Sequence, residues 1–387
     1  MGDDCYSIDL VMLSKFGRAD GGRETWAYNF IPLLLESNKN LSLTIYGFSI
    51  DNKSDKREEL LSVFNNCDRE RVKLHFFPVK WPRIPLFFSM FYQLRKHVRG
   101  PDDNCTQMVL GVGGLFEMLM LLYTRKYNKS KKILWLRSIF FNEKADRAPS
   151  WLLPFLRRVE SLFLKKADVL FANGDDIACH YKRYGLNAHV IKNGVDIQKW
   201  AIPKPVLGPQ IKVAFIGRLT KVKGIEEFLQ MVEMVKCGVE ASRFDFHVVG
   251  KGPYSDLVET LERQGMLSSH GEIDNNDLPQ LLKDFDVCVA LTMASSTGGG
   301  GGTSNALMEQ MAAGRVIVAW DNVIFSQLLN DENAYLTPQG DPQGLIDAIS
   351  DIAENKDRAH SRAVAGKALM SEYSIETQLV KFQNILK

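Results

Sequence analysis

Short apolar runs alternate with helix-period segments along most of the chain. In the first half, 8–13 (IDLVML), 41–48 (LSLTIYGF), 72–79 (VKLHFFPV), 107–113 (QMVLGVG), 131–138 (KKILWLRS), 167–173 (ADVLFAN) and 187–193 (NAHVIKN) read as strands. A helix is predicted from about Arg23, and helical patterns fill several of the other gaps. Such alternation predicts a parallel, doubly wound sheet. Residues 195–210 (VDIQKWAIPKPVLGPQ) break the rhythm with three prolines and no period, which marks a linker. A second series then opens at 211–217 (IKVAFIG). It runs through a helix at 224–236, a strand at 245–250, a helix at 255–264 and strands at 286–292 and 316–320, and then reads as helices to the end. Two α/β domains are expected.

Between those last two strands lies TGGGGGTSNALMEQMAAG, residues 297–314. Ser304 or Asn305 can cap a helix there, Gly314 can end it, and Leu307, Met308, Met311 and Ala312 give it one apolar face. The order is strand, glycine loop, helix, strand. That places a side-chain-free loop and a helix N-terminus at the carboxyl edge of a parallel sheet, where ligands bind. Unpaired N–H groups and partial positive charge at a helix start suit phosphate. In the same predicted domain, FIGRLTKVKG ends a strand at Gly217 and sets Arg218 and Lys223 in the turn before a helix. A forked guanidinium and a point-charge ammonium beside a helix start form a clamp for a diphosphate.

Composition narrows the class. The chain has 387 residues, 24% of them charged, an ordinary globular mixture long enough for two domains. Six scattered cysteines without a CxxC pair fit free thiols in a reducing cytosol. The acidic start MGDDCYSIDL has no signal-peptide core, and the longest apolar stretch, 108–123, contains Glu117 and is short for a bilayer span. The net charge of +2 hides an asymmetry: residues 1–200 carry 31 basic and 22 acidic side chains, a net of +9, and the remainder a net of −7. Only the first half is set to meet an anionic partner. Within it, 79–100 mixes Trp81, Phe87, Phe88, Phe91 and Tyr92 with Arg and Lys, and 151–168 mixes Arg157, Arg158, Lys165 and Lys166 with bulky apolar residues. Both fit contact with an anionic membrane surface as well as ordinary core packing with a solvated basic face. No nucleic-acid-binding module and no metal-ligand spacing of the histidines is present; the Asp pairs in GDDI and IDNNDL read as capping and turn residues.

Five strings in order resemble one family. ADGGRE near the start, the 167–200 segment ending in NGVDIQKW, GRLTKVKG, HVVGKGP and SNALMEQMAAGRVIVAWD are similar to the motifs of the retaining nucleotide-sugar glycosyltransferases of group 1, or family 4. The resemblance covers most of the chain and implies the GT-B fold: two doubly wound Rossmann-like domains facing a central cleft. It implies an acceptor-side domain at 1–197, a linker at 198–210, a donor domain at 211–371, and a terminal helix at 372–387 that packs back on the first domain.

It also implies roles. Arg218 and Lys223 hold the donor diphosphate. Gly21 and Gly22 let the first domain's backbone approach it. Gly217 and Gly252 belong to donor-side turns, and Ser304, Asn305, Ala306 and Leu307 offer helix-start contacts. Glu309 accepts from the ribose hydroxyls. The implied chemistry is sugar transfer with retention, to a sugar or lipid-linked saccharide acceptor in bacterial surface polysaccharide or glycolipid assembly. It needs no metal and no cofactor beyond the nucleotide-sugar substrate, because Arg, Lys and helix dipoles meet the leaving charge. The expected location is the cytoplasm, at the inner face of the membrane.

Two positions depart from the family. Glu309 is the second member of a Glu-x7-Glu pattern whose first member here is Gly301. Backbone N–H groups of Gly300 to Thr303 are the replacement at hand. The strand at 131–138 ends in Arg137 and Ser138, where the family often has His. A non-catalytic nucleotide-sugar-binding partner and a nucleotide-sugar epimerase are the competing functions.

Overall fold

The structure is a computed structural model that describes residues 6–17, 22–49, 56–78, 83–98, 106–139, 151–203, 205–294 and 304–386. It contains two parallel sheets. The first is built from β1 (Tyr6–Val11), β2 (Leu41–Ser49), β3 (Val72–Pro78), β4 (Thr106–Gly113), β5 (Lys131–Leu136), β6 (Val169–Ala172) and β7 (His189–Val190). Its strands lie in the order β3-β2-β1-β4-β5-β6-β7, each pair parallel. The helices between them are α1 (Gly22–Glu36), α2 (Arg57–Leu61), α3 (Asn66–Arg69), α4 (Arg83–His97), α5 (Leu115–Tyr123), α6 (Leu153–Leu164) and α7 (Asp175–Lys182).

The second sheet comprises β8 (Ile211–Ile216), β9 (Phe244–Val249), β10 (Ser268–Ser269), β11 (Val287–Ala290), β12 (Val316–Asp321) and β13 (Tyr335–Pro338), in the order β10-β9-β8-β11-β12-β13 and again all parallel. Its helices are α8 (Ile225–Lys236), α9 (Ser255–Arg263), α10 (Leu278–Leu282), α11 (Asn305–Ala312), α12 (Pro342–Glu354) and α13 (Lys356–Leu369); α14 (Ile375–Leu386) ends the described chain. Both sheets have the Rossmann order, whose switch point lies between β1 and β4 in one and between β8 and β11 in the other.

Period-two alternation covers the first sheet on both faces. Ile8 and Leu10 of β1 join a core with α1 and α14, while Val11 joins a second core with Met90 and Leu94 of α4 and Met120 and Leu121 of α5. The last helix therefore belongs to the first unit, which takes the described residues up to Gly194 and resumes at Ile375. Phe382 of α14 stacks on Trp135 at 5.6 Å and meets Phe30 edge-on at 5.4 Å. Lys131 Nζ donates to the Leu386 carbonyl at 3.1 Å.

The second unit starts at Val195, so residues 198–210 are not a free linker. Trp200 and Ile202 are buried in its core, and apolar side chains among the prolines override the loop signal. β10 and β13 were also absent from the strand pattern. Both are short edge strands, and β13 ends in Pro338, so neither shows a clear alternation.

Candidate functional site

The clearest chemistry in the second unit collects at its switch point. After β8 the chain turns through Gly217, Arg218 and Leu219 to a single 3-10 turn at Lys221–Lys223, and α8 begins behind Gly224. Gly224 is left-handed, with φ of 76°, and a Cβ there would stand 2.3 Å from the Leu291 carbonyl. Only glycine lets this turn press against the end of β11. A second close approach shapes the same turn from the other side. A Cβ on Gly252 would stand 2.4 Å from the Leu219 carbonyl, and Leu219 N donates to the Lys251 carbonyl at 3.0 Å. Gly252 thus supports the backbone of the Arg218 turn.

Beyond β11 the segment Leu291–Ala294 is pinned before the glycine run begins. Trp320 Nε1 donates to the Leu291 carbonyl at 2.9 Å, Asn322 Nδ2 to the Thr292 carbonyl at 3.0 Å, and Met293 N to the Val222 carbonyl at 2.8 Å. Gln339 takes both the N–H and the carbonyl of Ala294. α11 then starts at Asn305. Ser304 occupies the N-cap position in extended geometry, but its side chain makes no capping hydrogen bond. The expected cap is therefore not formed by the Ser304 side chain, and a helix start of this kind suits an anion.

These pieces surround one cavity of about 90 Å³, lined by Gly217, Lys223, Thr292, Ser304, Ala306 and Leu307 among others. Lys223 Nζ donates to Thr292 Oγ1 at 3.2 Å. Burial, and then the neighbouring Arg218 charge, hold the Lys223 ammonium below the usual lysine range. Arg218 itself is exposed. Gln310 also lines the cavity; it is buried, and its Oε1 has no hydrogen-bond partner among the described residues. Gly21, Gly301, Gly302 and Thr303 lie outside the described residues.

Glu309 lies on the same helix, facing other partners. It is buried and accepts from Asn275 Nδ2 at 3.2 Å, while Lys199 Nζ donates to Asn275 Oδ1. Burial pushes its carboxyl up to about 7, against the Asn275 hydrogen bond and the Lys199 charge. The sequence pattern marks 273–278 as capping and turn residues and assigns Lys199 nothing. Asp274 does make the turn, accepting from Asn276 N at 2.8 Å, which leaves Asn275 for Glu309. No spacing signal links residues 199, 275 and 309; only the fold does.

In the first unit, Gly22 opens α1 and its carbonyl accepts from Arg137 Nη2 at 3.4 Å. Arg137 is buried beside the rings of Trp26 and Trp135, and Nη2 also donates to Asn193 Oδ1 at 2.7 Å. Burial, then the Arg23 charge, lower its pKa to about 9. The residue standing where the family often has His is thus a cation buried at the sheet edge. Among the described residues, no group of His, Cys, Asp and Glu is arranged to hold a metal ion.

Two Rossmann-like units of this kind define the GT-B class, and solved structures agree over nearly the whole chain. Sucrose-phosphate synthase from Thermosynechococcus elongatus superposes with a TM-score of 0.73 at 14% identity, covering 98% of each chain. HepE of Anabaena in complex with UDP gives 0.71 at 16% identity, covering 98% of this chain and 99% of that one. S. aureus TarM, solved with UDP among its ligands, gives 0.73 at 12% identity, covering 97% and 99%. Residues 210–355, within the second unit, match the family model described as glycosyl transferases group 1. A curated relative, the putative colanic acid biosynthesis glycosyltransferase WcaL of Salmonella typhimurium, is 23% identical over 172 residues. That match spans 42% of this chain and 41% of the relative's length.

Proposed function

We propose that the protein is a retaining glycosyltransferase. It moves a sugar from a nucleotide-sugar donor to a saccharide or lipid-linked saccharide acceptor, in bacterial surface polysaccharide or glycolipid assembly. The observation that carries this reading is the start of α11, where Ser304 supplies no side-chain cap, lining one cavity with Lys223 at the second sheet's switch point. The donor diphosphate lies against the α11 N–H groups, clamped by Lys223 and Arg218, and they stabilise the charge that grows as the sugar leaves. The departing phosphate oxygen takes the acceptor's proton, so no separate base and no metal is required. Glu309 accepts from the ribose, with Asn275 and Lys199 holding it in place. Solved complexes of HepE with UDP-glucose and with UDP and glucose support a nucleotide-sugar donor for proteins of this fold.

The test is thermal unfolding against UDP-, GDP-, ADP- and CMP-sugars, with and without magnesium, followed by product analysis. Donor at about a hundred times its Kd adds ~2.7 kcal/mol of stability, a shift of several degrees. One nucleotide series shifting the transition without magnesium is the expected result; no shift with any of them sinks the reading. Gly301, in place of the family's first Glu, favours a second reading as a non-catalytic nucleotide-sugar-binding partner. Donor binding without turnover across a broad acceptor panel supports that reading, and turnover gained by Gly301→Glu returns the protein to the enzymes.

A further inference from the structure

A second cavity, of about 420 Å³, opens in the second unit between β13, the outer strand of its sheet, and the helices α12 and α13. Its lining lies wholly within residues 331–362 and shares no residue with the cavity at the switch point. The volume is that of a small-molecule site. Three walls of different character enclose it. The α12 wall is acidic: Asp341, Asp347 and Asp351 follow one another along one side of the helix, and Asp331 joins them from the loop before β13. The α13 wall is basic, with Arg358 and Arg362 one turn apart. β13 closes the third side with Tyr335, Leu336 and Thr337.

Gly344 keeps the acidic wall open. It lies in the first turn of α12, where alanine is the better helix former. A Cβ there would stand 2.9 Å from Asp341 Oδ2 and 3.4 Å from Thr337 Cβ, so the glycine leaves room for the Asp341 carboxylate. Asp341 occupies the N-cap position of α12, yet its side chain makes no capping hydrogen bond. Asp351 is engaged, by Arg358 and by Asn355 Nδ2 at 2.7 Å, and Asp347 accepts from Gln343 Nε2 at 2.8 Å. The Tyr335 ring is covered by Arg362 at 4.1 Å, with Arg358 at 5.9 Å. Tyr335 is only 5% exposed, and its buried hydroxyl makes no hydrogen bond among the described residues. A phenol left so costs about 1–3 kcal/mol, which a ligand oxygen in reach of it offsets.

The walls define the ligand. A cation suits the four carboxylates and is repelled by the two guanidinium groups; an anion suits the arginines and meets the carboxylates. Hydroxyl groups donate to one wall and accept from the other. Leu336 and Ala348 add apolar surface for C–H faces between the hydroxyls. We propose that this cavity binds a neutral oligosaccharide, with Asp331 and Asp341 accepting from its hydroxyls, Arg362 donating to its oxygens and Tyr335 Oη completing the set. This is a saccharide site apart from the donor cavity, and it goes beyond the transferase reading.

The experiment is calorimetric titration of the full chain with neutral tetrasaccharides of glucose, galactose and mannose. Binding of at least one of them is the expected result. Asp341→Asn and Arg362→Ala each weaken it about tenfold or more, the loss of a hydrogen bond to a charged group. Tyr335→Phe weakens it about threefold while the urea midpoint holds or rises, because the hydroxyl removed has no partner in the free protein. Gly344→Ala weakens binding with no loss of stability, because the added Cβ displaces the Asp341 carboxylate. The titrations contain no nucleotide, so their failure and the failure of the transferase reading are separate results. No binding of any tetrasaccharide overturns the inference, as does wild-type affinity in all four variants, which would put the saccharide elsewhere. Tighter binding of spermidine or of a free amino acid than of the saccharides also overturns it, because the cavity would then be a site for an ammonium group.

Discussion

The two sheets share a strand order and treat the same position at their edges in opposite ways. In each, the fourth strand in sequence, β4 or β11, lies beside the first and leads to a helix, α5 or α11. At the start of α5 the chain supplies its own carboxylate, which binds the N–H of the N-cap residue Gly114. Glu117 Oε2 accepts from Gly114 N at 2.9 Å and Oε1 from Leu13 N at 3.3 Å, with the Arg23 guanidinium 3.9 Å away. Burial holds that carboxyl above its usual range, with Arg23 and the backbone donors pulling the other way. The start of α11 receives no capping bond from Ser304, and the side chains gathered near it are cations. One protein thus shows both uses of a helix N-terminus. Where a buried Glu117 supplies the carboxylate the edge is structural; where Ser304 supplies no cap and Lys223 lines the same cavity, a ligand anion fits.

The largest expected effect breaks the capped end. Glu117→Ala leaves the Leu13 and Gly114 N–H groups without their acceptor in a buried site, and should cost about 2–4 kcal/mol of stability. Urea denaturation measures it, and a change below about 1 kcal/mol would show that the cap is ornamental. Next comes the cationic end. Lys223→Ala should weaken nucleotide-sugar binding by roughly 10–100-fold, the worth of a charge-assisted hydrogen bond, with little change in melting temperature. Near-wild-type affinity by calorimetry would remove Lys223 from the diphosphate clamp.

A smaller effect separates stability from binding through pH. The folded pKa of Glu309, about 7, stands above its unbiased value of 4.5. Folding therefore favours the protonated form. The stability it contributes is full below about pH 4.5 and is lost as pH rises through about 7. Donor affinity should move the other way, because the ionised carboxylate is the better acceptor for ribose hydroxyls. Glu309→Gln should flatten both trends, and unchanged slopes in urea midpoints and donor titrations between pH 5 and 8 would show that the group does not titrate there. The smallest effect is Ser304→Ala. A side chain that caps nothing should change stability by less than about 0.5 kcal/mol, against the ~1 kcal/mol of a working N-cap.

Much of the architecture is legible without coordinates. The strands of both central sheets, the helix behind the glycine run and the turn holding Arg218 and Lys223 all follow from apolar period and glycine placement, because each is specified within about a dozen neighbouring residues. Weakly patterned pieces were not legible. β13 is four residues long and ends in proline, and the 198–210 stretch hides a buried Trp200 among loop-forming residues.

The sequence by itself determined the two α/β units, the phosphate-suited helix start and the basic character of the first half. Tertiary structure alone decided that Glu117 stands at the start of α5 while Ser304 gives α11 no side-chain cap, that Lys199 and Asn275 converge on Glu309, and that Glu117 and Glu160 are buried. Local pattern depends on neighbours along the chain, so sequence carries it. Capping by Glu117, the surroundings of Glu309 and the sign of a surface depend on which segments the fold brings together, and desolvation acts only once they have met.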